Sequence, residues 1–162
     1  MRIGVISDTH IPDRADDIPK IILEDFRNVD MVIHAGDLVE LSVLDQLKMV
    51  CKNIKAVWGN MDRYEVRKAL PEKEIIKIAN FKIGVMHGYG APNSLIELMI
   101  KVFQNEEVNL IIFGHSHCAV KEKIKDTLYF NPGSPTDKFF SPYNSYGMIE
   151  IDEELKAEII KI

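Results

Sequence analysis

The sequence predicts an α/β fold in which two β-sheets pack face to face and helices cover both outer surfaces, an α/β/β/α arrangement. Three observations support this prediction. Apolar runs of strand length alternate with stretches of helical periodicity in the first half of the chain, and hairpin-like segments dominate the second half. No repeat or Pro/Gly/Ser-rich linker interrupts the chain. At 162 residues it is long enough for one buried core and short for two, so we expect a single domain over residues 1–162.

The first half of the chain is predicted to form a βαβαβ unit. Its three apolar runs are RIGVISD (2–8), MVIHAG (31–36) and IKAVWG (54–59). Residues 17–28 and 41–51 lie between these runs and carry apolar side chains at helical spacing. Strands that are apolar throughout and alternate with helices are typical of a parallel sheet with right-handed crossovers.

The second half of the chain is predicted to form mainly hairpins. Antiparallel pairs with polar turns are expected at residues 74–88, 119–134 and 145–162. A clear amphipathic helix covers residues 94–105, and the apolar run LIIFG at 110–114 predicts one more strand. Together with the first half, these strands are sufficient for two sheets.

Composition and charge argue against several classes of function. The net charge of −5 does not suit an extended basic surface for nucleic acid, although one phosphate group can still bind locally. No apolar run approaches the ~18 residues of a membrane span, and the N-terminal residues lack the apolar core of a signal peptide. Two cysteines, Cys51 and Cys118, are too few for a disulfide framework, so we expect a reducing, cytoplasmic location.

Polar side chains that can bind metal follow five of the predicted strands at the point where each strand ends. They are Asp8, His10, Asp37, Asn60, His87, His115 and His117. In parallel α/β sheets the carboxyl ends of the strands form the ligand-binding edge. Any one of these residues alone is more often a turn former or a helix cap. Four of the five histidines, however, fall directly after apolar runs, which favours a shared metal site.

Two nearby residues are left out of the predicted ligand set. His34 lies inside the second strand, where we expect it to pack near the strand end or to donate a hydrogen bond to a ligand. Cys118 follows His117 and is expected to point the other way.

The candidate ligands resemble the signature motifs of the calcineurin-like metallophosphoesterases. The motifs stand in family order as Asp8-Thr9-His10, Gly36-Asp37, Gly59-Asn60-Met61-Asp62, His87-Gly88 and Gly114-His115-Ser116-His117. The segment NPGS at 131–134 also fits, so the resemblance covers nearly the whole chain. The short length without an inserted cap domain is similar to the family's small phosphodiesterase branch, which also contains the scaffold subunit of the retromer coat.

The resemblance implies a centre of two divalent ions. One ion would be bound by Asp8, His10, Asp37 and His117, and the other by Asp37, Asn60, His87 and His115, with Asp37 shared. Imidazole mixed with oxygen donors suits manganese, nickel, cobalt, iron or zinc better than magnesium or calcium, and manganese is the expected metal. A hydroxide that bridges the ions would attack the phosphorus of a small phosphodiester, with Asp37, Asn60 and His87 acting through the bound metal.

Other functions remain alternatives to phosphodiester hydrolysis. A protein-binding scaffold of the same fold, with weak or absent catalysis, is one. A phosphomonoesterase or nucleotide phosphatase is another. A homodimer is a further prediction that the sequence leaves open.

Met61 departs from the family pattern. Larger relatives carry a histidine at this position that helps to protonate the leaving oxygen, and cysteine is common in the small branch. A thioether has no proton to give, so we expect weak activity on alkyl esters. Asp62 would normally orient that histidine; here it is expected to pair with Arg63 or Arg67, or to cap the next helix.

Arg14 and an aromatic-rich loop lie outside the motifs. Arg14 follows His10 closely and is a candidate contact for substrate phosphate, although a solvated surface arginine is the competing interpretation. The loop that begins at residue 137 contains Phe139, Phe140, Tyr143 and Tyr146. We expect these aromatic side chains to dock onto the core rather than to line a substrate or dimer surface.

Overall fold

Residues 1–162 are all described by the computed structural model, in which ten β-strands form two five-stranded sheets. The first sheet contains β1 (Arg2–Ile6), β2 (Met31–His34), β3 (Ile54–Ala56), β9 (Ser145–Ile151) and β10 (Leu155–Lys161), in the spatial order β10-β9-β1-β2-β3. Strands β1, β2 and β3 are parallel, and β9 pairs antiparallel with both β1 and β10. The predicted parallel arrangement of the N-terminal strands is confirmed.

The second sheet is also mixed. It contains β4 (Lys73–Ile78), β5 (Phe81–Met86), β6 (Leu110–Ile112), β7 (Val120–Ile124) and β8 (Thr127–Asn131), in the order β4-β5-β6-β8-β7. Strand β6 is parallel to both β5 and β8, while β4 and β7 form antiparallel edges. The predicted hairpins therefore form as β4–β5, β7–β8 and β9–β10.

Short helices connect the strands. They are α1 (Lys20–Phe26), α2 (Ser42–Lys48), α3 (Tyr64–Ala69) and α4 (Leu95–Val102), the last preceded by a 3₁₀ turn at Pro92–Ser94. Helix α1 begins three residues later than predicted because Pro19 disfavours helical backbone at the residue before it. No helix is long and apolar enough to cross a membrane.

Three groups of buried side chains hold the layers together. Ile33, Val85 and Phe130 belong to the group that fills the space between the sheets. A second group joins α1, α2 and α3 to the outer face of the first sheet, and a third joins α4 to the second sheet. Full burial of one large apolar side chain contributes about 1.5–3 kcal/mol. Helix α2 buries three apolar side chains, α1 and α4 bury two each, and α3 buries Val66 alone.

Strand register brings the loops with the candidate ligands to one edge. Ile6 is aligned with His34, so the chain leaves β1 and β2 at the same level. The two sheets are linked at this edge by a hydrogen bond of 2.8 Å from Ser134 Oγ to the carbonyl oxygen of Asp8. A second bond of 3.0 Å from the Gly114 N–H to the His87 carbonyl joins the loops after β5 and β6.

The aromatic-rich loop is only partly docked. Tyr146 is 1% exposed and donates a hydrogen bond to Asp25, but Phe139 and Phe140 are 83% and 65% exposed. The expectation of docking is wrong for the two phenylalanines. Their backbone N–H groups donate to the buried Asp137 carboxylate, so the backbone faces the protein and the two side chains extend into solvent.

Candidate metal centre

Most of the candidate ligands adopt a left-handed backbone conformation that is uncommon for residues other than glycine. Five of the seven have a positive φ: Asp8 (54°), His10 (44°), Asp37 (57°), His115 (71°) and His117 (59°). A residue other than glycine in this region costs on the order of 1–3 kcal/mol, and such residues concentrate at functional sites. The loops at this edge are thus shaped to direct side chains and not to minimise backbone energy.

Two glycines next to the ligands leave room for neighbouring ligands. A Cβ at Gly59 would overlap the Asp37 carboxylate, and it would lie 2.7 Å from the His87 ring. A Cβ at Gly114 would lie 2.6 Å from Asp8 Oδ2. The absence of a side chain at both positions therefore lets ligands from different loops approach one another.

Asp8, His10 and His117 form the first group of donor atoms. His117 Nε2 lies 3.1 Å from His10 Nε2 and 3.4 Å from Asp8 Oδ1, and all three side chains are buried. The Asp8 carboxylate also accepts the His115 N–H at 3.1 Å, which fixes its orientation. Burial lowers the pKa of His10, which favours the neutral ring that binds metal.

Asp37 and His87 form a second group together with Asp8. His87 Nε2 lies 3.2 Å from Asp37 Oδ2 and 3.7 Å from Asp8 Oδ1, yet it makes no hydrogen bond and is buried. His87 Nδ1 donates to the Ala35 carbonyl at 2.7 Å, so Nε2 is the nitrogen that faces the carboxylates and that can bind either a proton or a metal ion. Burial lowers the pKa of His87, but Asp8 and Asp37 outweigh it and raise the pKa to about 9. A cation is strongly favoured at this position.

Asn60 and His115 face each other beside the second group. His115 Nδ1 lies 2.8 Å from Asn60 Oδ1, and His115 Nε2 lies 2.9 Å from the Gly90 carbonyl oxygen. A carbonyl only accepts, so Nε2 carries the proton of a neutral ring and Nδ1 is an acceptor. In that tautomer the two facing atoms are both acceptors, and both can bind the same cation. The His115 and His87 rings are 5.5 Å apart, which places this pair next to the carboxylates.

The spacing of these donor atoms fits divalent metal ions. Ligands bonded at about 2.1 Å to one ion lie roughly 3.0 Å apart in octahedral geometry and roughly 3.4 Å apart in tetrahedral geometry. The separations of 3.1 Å for His10–His117, 3.2 Å for Asp37–His87 and 2.8 Å for Asn60–His115 are close to these values. The mixture of imidazole, carboxylate and amide oxygen is typical of transition-metal sites.

Asp62 holds the two loops that carry Asp37 and Asn60. Its carboxylate is buried and accepts three backbone N–H groups, from Gly59 at 2.7 Å, Val39 at 2.6 Å and Asp37 at 3.1 Å. The expectation that Asp62 pairs with an arginine or caps a helix is therefore wrong.

The nearby arginines have partners other than the Asp62 carboxylate, and helix α3 has no side-chain cap. Arg67 donates to the backbone carbonyl of Asp62 and not to its carboxylate. The residue before helix α3 is Arg63, which makes no side-chain capping bond, and its guanidinium pairs with Glu40.

His34 supports the loop of Asp37 from within the sheet. Its Nδ1 accepts the Gly36 N–H at 3.2 Å, so Nε2 carries the proton and donates to Thr9 Oγ1 at 3.0 Å. Complete burial lowers the pKa of His34 to about 3, which keeps the ring neutral. His34 thus packs at the strand end, and Cys118 also lies outside the cluster, with its thiol on the Phe140 carbonyl.

Arg14 and Met61 lie at the rim of the cluster. Arg14 is 27% exposed and its guanidinium donates to Asp137 at 2.8 Å. Met61 is 55% exposed, and its backbone N–H donates to Asp37 Oδ1 at 2.7 Å. Neither side chain belongs to the two groups of donor atoms.

The comparisons with known proteins agree with this geometry. The family model of the calcineurin-like phosphoesterase superfamily domain matches residues 1–154. A probable metallophosphoesterase of Methanocaldococcus jannaschii is 40% identical over 163 residues, which cover 100% of this chain and 82% of the relative. A phosphodiesterase of the same organism is 31% identical, with 99% of both chains covered. The crystal structure of wild-type Vps29 from Entamoeba histolytica in complex with Zn²⁺ superimposes with a TM-score of 0.78 at 28% identity, covering 99% of each chain.

Proposed function

Because the chain belongs to the calcineurin-like phosphoesterase superfamily, we propose that it is a phosphodiesterase that depends on two divalent transition-metal ions. Family membership and relatives named as phosphodiesterases support hydrolysis of phosphoric esters. The observation that carries the proposal is the convergence of seven donor side chains from five loops, with donor atoms at the spacing of metal ligands.

The proposed ligand assignment is the one that the family resemblance implies; it shares Asp37 between the ions, whereas the two groups of donor atoms have Asp8 in common. Asp8, His10, Asp37 and His117 would hold one ion, and Asp37, Asn60, His87 and His115 would hold the other. Asp37 is the proposed shared ligand because its Oδ2 lies 3.6 Å from His10 Nε2 and 3.2 Å from His87 Nε2. Manganese is the proposed metal, since histidine-rich mixed sites favour transition metals over Mg²⁺ and Ca²⁺.

When bound, such ions lower the pKa of water to about 7 and offset the charge of phosphate oxygens. The residues of this chain contribute orientation. Backbone carbonyls fix the outer nitrogens of His87 and His115, so their inner nitrogens stay aimed at the centre. The Met61 side chain supplies no proton to a leaving oxygen, so water or another group would have to protonate it. We therefore propose a small phosphodiester with a good leaving group as the preferred laboratory substrate.

Metal-dependent turnover tests the proposal directly. Protein stripped with chelator should be inactive, and Mn²⁺ should restore hydrolysis of bis-nitrophenyl phosphate better than Mg²⁺ or Ca²⁺. Mono-nitrophenyl phosphate should be hydrolysed more slowly than the diester, which distinguishes a phosphodiesterase from a phosphomonoesterase. Equal rescue by Mg²⁺ would contradict the histidine-rich ligand set, and no turnover with any metal would contradict the enzymatic function.

A protein-binding scaffold is the second candidate function. Tyr64, Phe139 and Phe140 are 72%, 83% and 65% exposed, which is a large apolar exposure for three aromatic side chains. The chain also resembles Vps29, a protein whose Schizosaccharomyces pombe counterpart is named vacuolar protein sorting-associated protein 29, and this resemblance supports the second candidate. A protein that binds Mn²⁺ tightly at both sites but hydrolyses neither substrate would favour the scaffold.

A further inference from the structure

Asp137 contacts the candidate metal centre from outside the seven ligands. It is 3% exposed, and its Oδ2 lies 3.1 Å from His117 Nδ1, a buried nitrogen that makes no other polar contact and is not aligned with this oxygen for a hydrogen bond. On the other side of the same ring, His117 Nε2 lies 3.1 Å from His10 Nε2 and 3.4 Å from Asp8 Oδ1. The His117 ring therefore stands between a buried carboxylate and the first group of donor atoms.

The partner of His117 differs in kind from those of the other histidines. His87 and His115 have backbone carbonyls at their outer nitrogens, from Ala35 and Gly90. A carbonyl oxygen fixes the tautomer of an imidazole, whereas a carboxylate also raises the basicity of the inner nitrogen. Because the partner of His117 is a side chain and not a backbone carbonyl, its effect on this candidate ligand can be tested by mutation.

The Asp137 carboxylate is itself held firmly. Oδ1 accepts the Arg14 guanidinium at 2.8 Å and the Phe139 N–H at 3.0 Å. Oδ2 accepts the N–H groups of Phe140 and Ser141, each at 2.9 Å. Because these donors come from two separate segments, the carboxylate has little freedom to turn away from His117.

Arg14 is oriented towards Asp137 by a second contact. Its guanidinium carbon lies 5.3 Å from the centre of the Phe140 ring, and that ring packs edge-on against His117 at 5.6 Å. Arg14, Phe140 and Asp137 therefore form one layer behind the His117 ring. Stacking on an aromatic ring and pairing with a carboxylate are both interactions that suit a guanidinium.

We propose that Asp137 is a positioning residue that holds His117 with Nδ1 outward and Nε2 towards the metal, and that Arg14 acts through Asp137 as its counter-charge. This inference rests on the proposed function, since it names how one ligand of that metal centre is oriented. It gives Arg14 a role distinct from contact with substrate phosphate.

Metal affinity and the tautomer of His117 test the inference. In Asp137→Asn, calorimetric titration of the chelator-treated protein with Mn²⁺ should show one site weakened by about 10–100-fold and the other unchanged. Zn²⁺-loaded protein with ¹⁵N-labelled histidine should show a change in the imidazole signals of His117 and none in those of His87. Asp126→Asn, an exposed carboxylate in the β7–β8 turn, is the matched control and should change neither measurement.

Replacement of Arg14 distinguishes a positioning role of this residue from direct contact with the substrate. Arg14→Gln should weaken the same metal site as Asp137→Asn, by a smaller factor, with KM unchanged at saturating Mn²⁺. A raised KM with unchanged metal affinity would overturn this part of the inference, because it would mean direct contact with phosphate.

A double-mutant cycle covers the case in which Asp137→Asn destabilises the loop. If Asp137 acts through His117, Asp137→Asn should have no further effect on metal affinity in a His117→Ala background. Additive losses, or wild-type metal affinity in Asp137→Asn, would overturn the inference while leaving the proposed function intact. Weakened metal binding in a protein whose wild type hydrolyses no ester would instead overturn the proposed function alone.

Discussion

Replacement of Asp62 by Asn tests whether one buried carboxylate holds the loops of Asp37 and Asn60 together. Oδ2 of Asp62 accepts the N–H groups of Gly59 and Asp37, and Oδ1 accepts that of Val39. An asparagine side chain has a single acceptor oxygen. In the variant, at least one of the three buried N–H groups must therefore lose its acceptor and face an NH₂ group.

The expected loss of stability follows from that count. An unsatisfied buried N–H costs about 1–3 kcal/mol, and the bonds that remain lose the strength that the negative charge gives them. We expect Asp62→Asn to lower the free energy of unfolding by about 2–4 kcal/mol, measured by urea denaturation in chelator. Since the two loops carry Asp37, the proposed shared ligand, and Asn60, Mn²⁺ affinity should fall by about 10–100-fold in calorimetric titration.

Two further variants serve as controls. Asp45→Asn removes an exposed carboxylate that pairs with Lys48, and such a surface pair contributes less than about 1 kcal/mol. Arg67→Ala removes the donor to the backbone carbonyls of Asp62 and Asn60 and shows how much stability the arginine contributes without the Asp62 carboxylate being changed. If Asp62→Asn loses no more stability than Asp45→Asn and binds Mn²⁺ like the wild type, the reasoning is refuted.

Three other changes test the remaining parts of the site. Asp37→Ala should lower the affinity for both ions, since its carboxylate faces both groups of histidines, whereas Asn60→Ala should lower mainly the affinity for one. Metal counting on the two dialysed variants checks this, and equal losses would contradict the assignment. In chelator, a fall from pH 6.5 to pH 5.0 should lower the free energy of unfolding by about 2 kcal/mol through His34, because the unfolded chain binds a proton near pH 6.5 and the folded ring, with a pKa of about 3, does not. His34→Asn should flatten that part of the pH–stability curve, and superimposable curves would refute the burial argument. Met61→His should speed alkyl esters more than nitrophenyl esters at equal metal content, because the ring adds a proton donor; a uniform change in both would place the acid elsewhere.

The strands, and the edge at which the candidate ligands meet, are the parts of this molecule that sequence reasoning predicts well; the ligand roles themselves stay predictions. Asp8, Asp37 and His87 each follow a run of apolar residues, and topology alone brings such strand ends to one edge. Local sequence patterns are therefore enough to predict that these side chains meet, and no tertiary contact has to be known beforehand.

The residues that orient the ligands are not predictable in this way. Asp137 meets Arg14 across 123 positions of the chain, and nothing in the sequence around either residue indicates the pairing. Asp62 has its role because backbone N–H groups from two loops converge on it, and N–H groups are the same at every position except proline. The signal available for Asp62 is its place in the motif, and the placement of Asp137 just after NPGS is the corresponding signal for that residue.

In the motif Gly59-Asn60-Met61-Asp62, some positions contribute through their side chains and Met61 contributes through its backbone. A methionine at this position is therefore compatible with the donor cluster. Asn60 and Asp62 act through their side chains, and Gly59 acts through the lack of one. Met61 binds Asp37 through its backbone N–H, which any residue but proline supplies, while its side chain points outward. Loss of a histidine here removes a proton donor without disturbing any contact that shapes the donor cluster. We therefore expect Met61 to change which leaving groups the proposed enzyme accepts and to leave the binding of the metal ions intact.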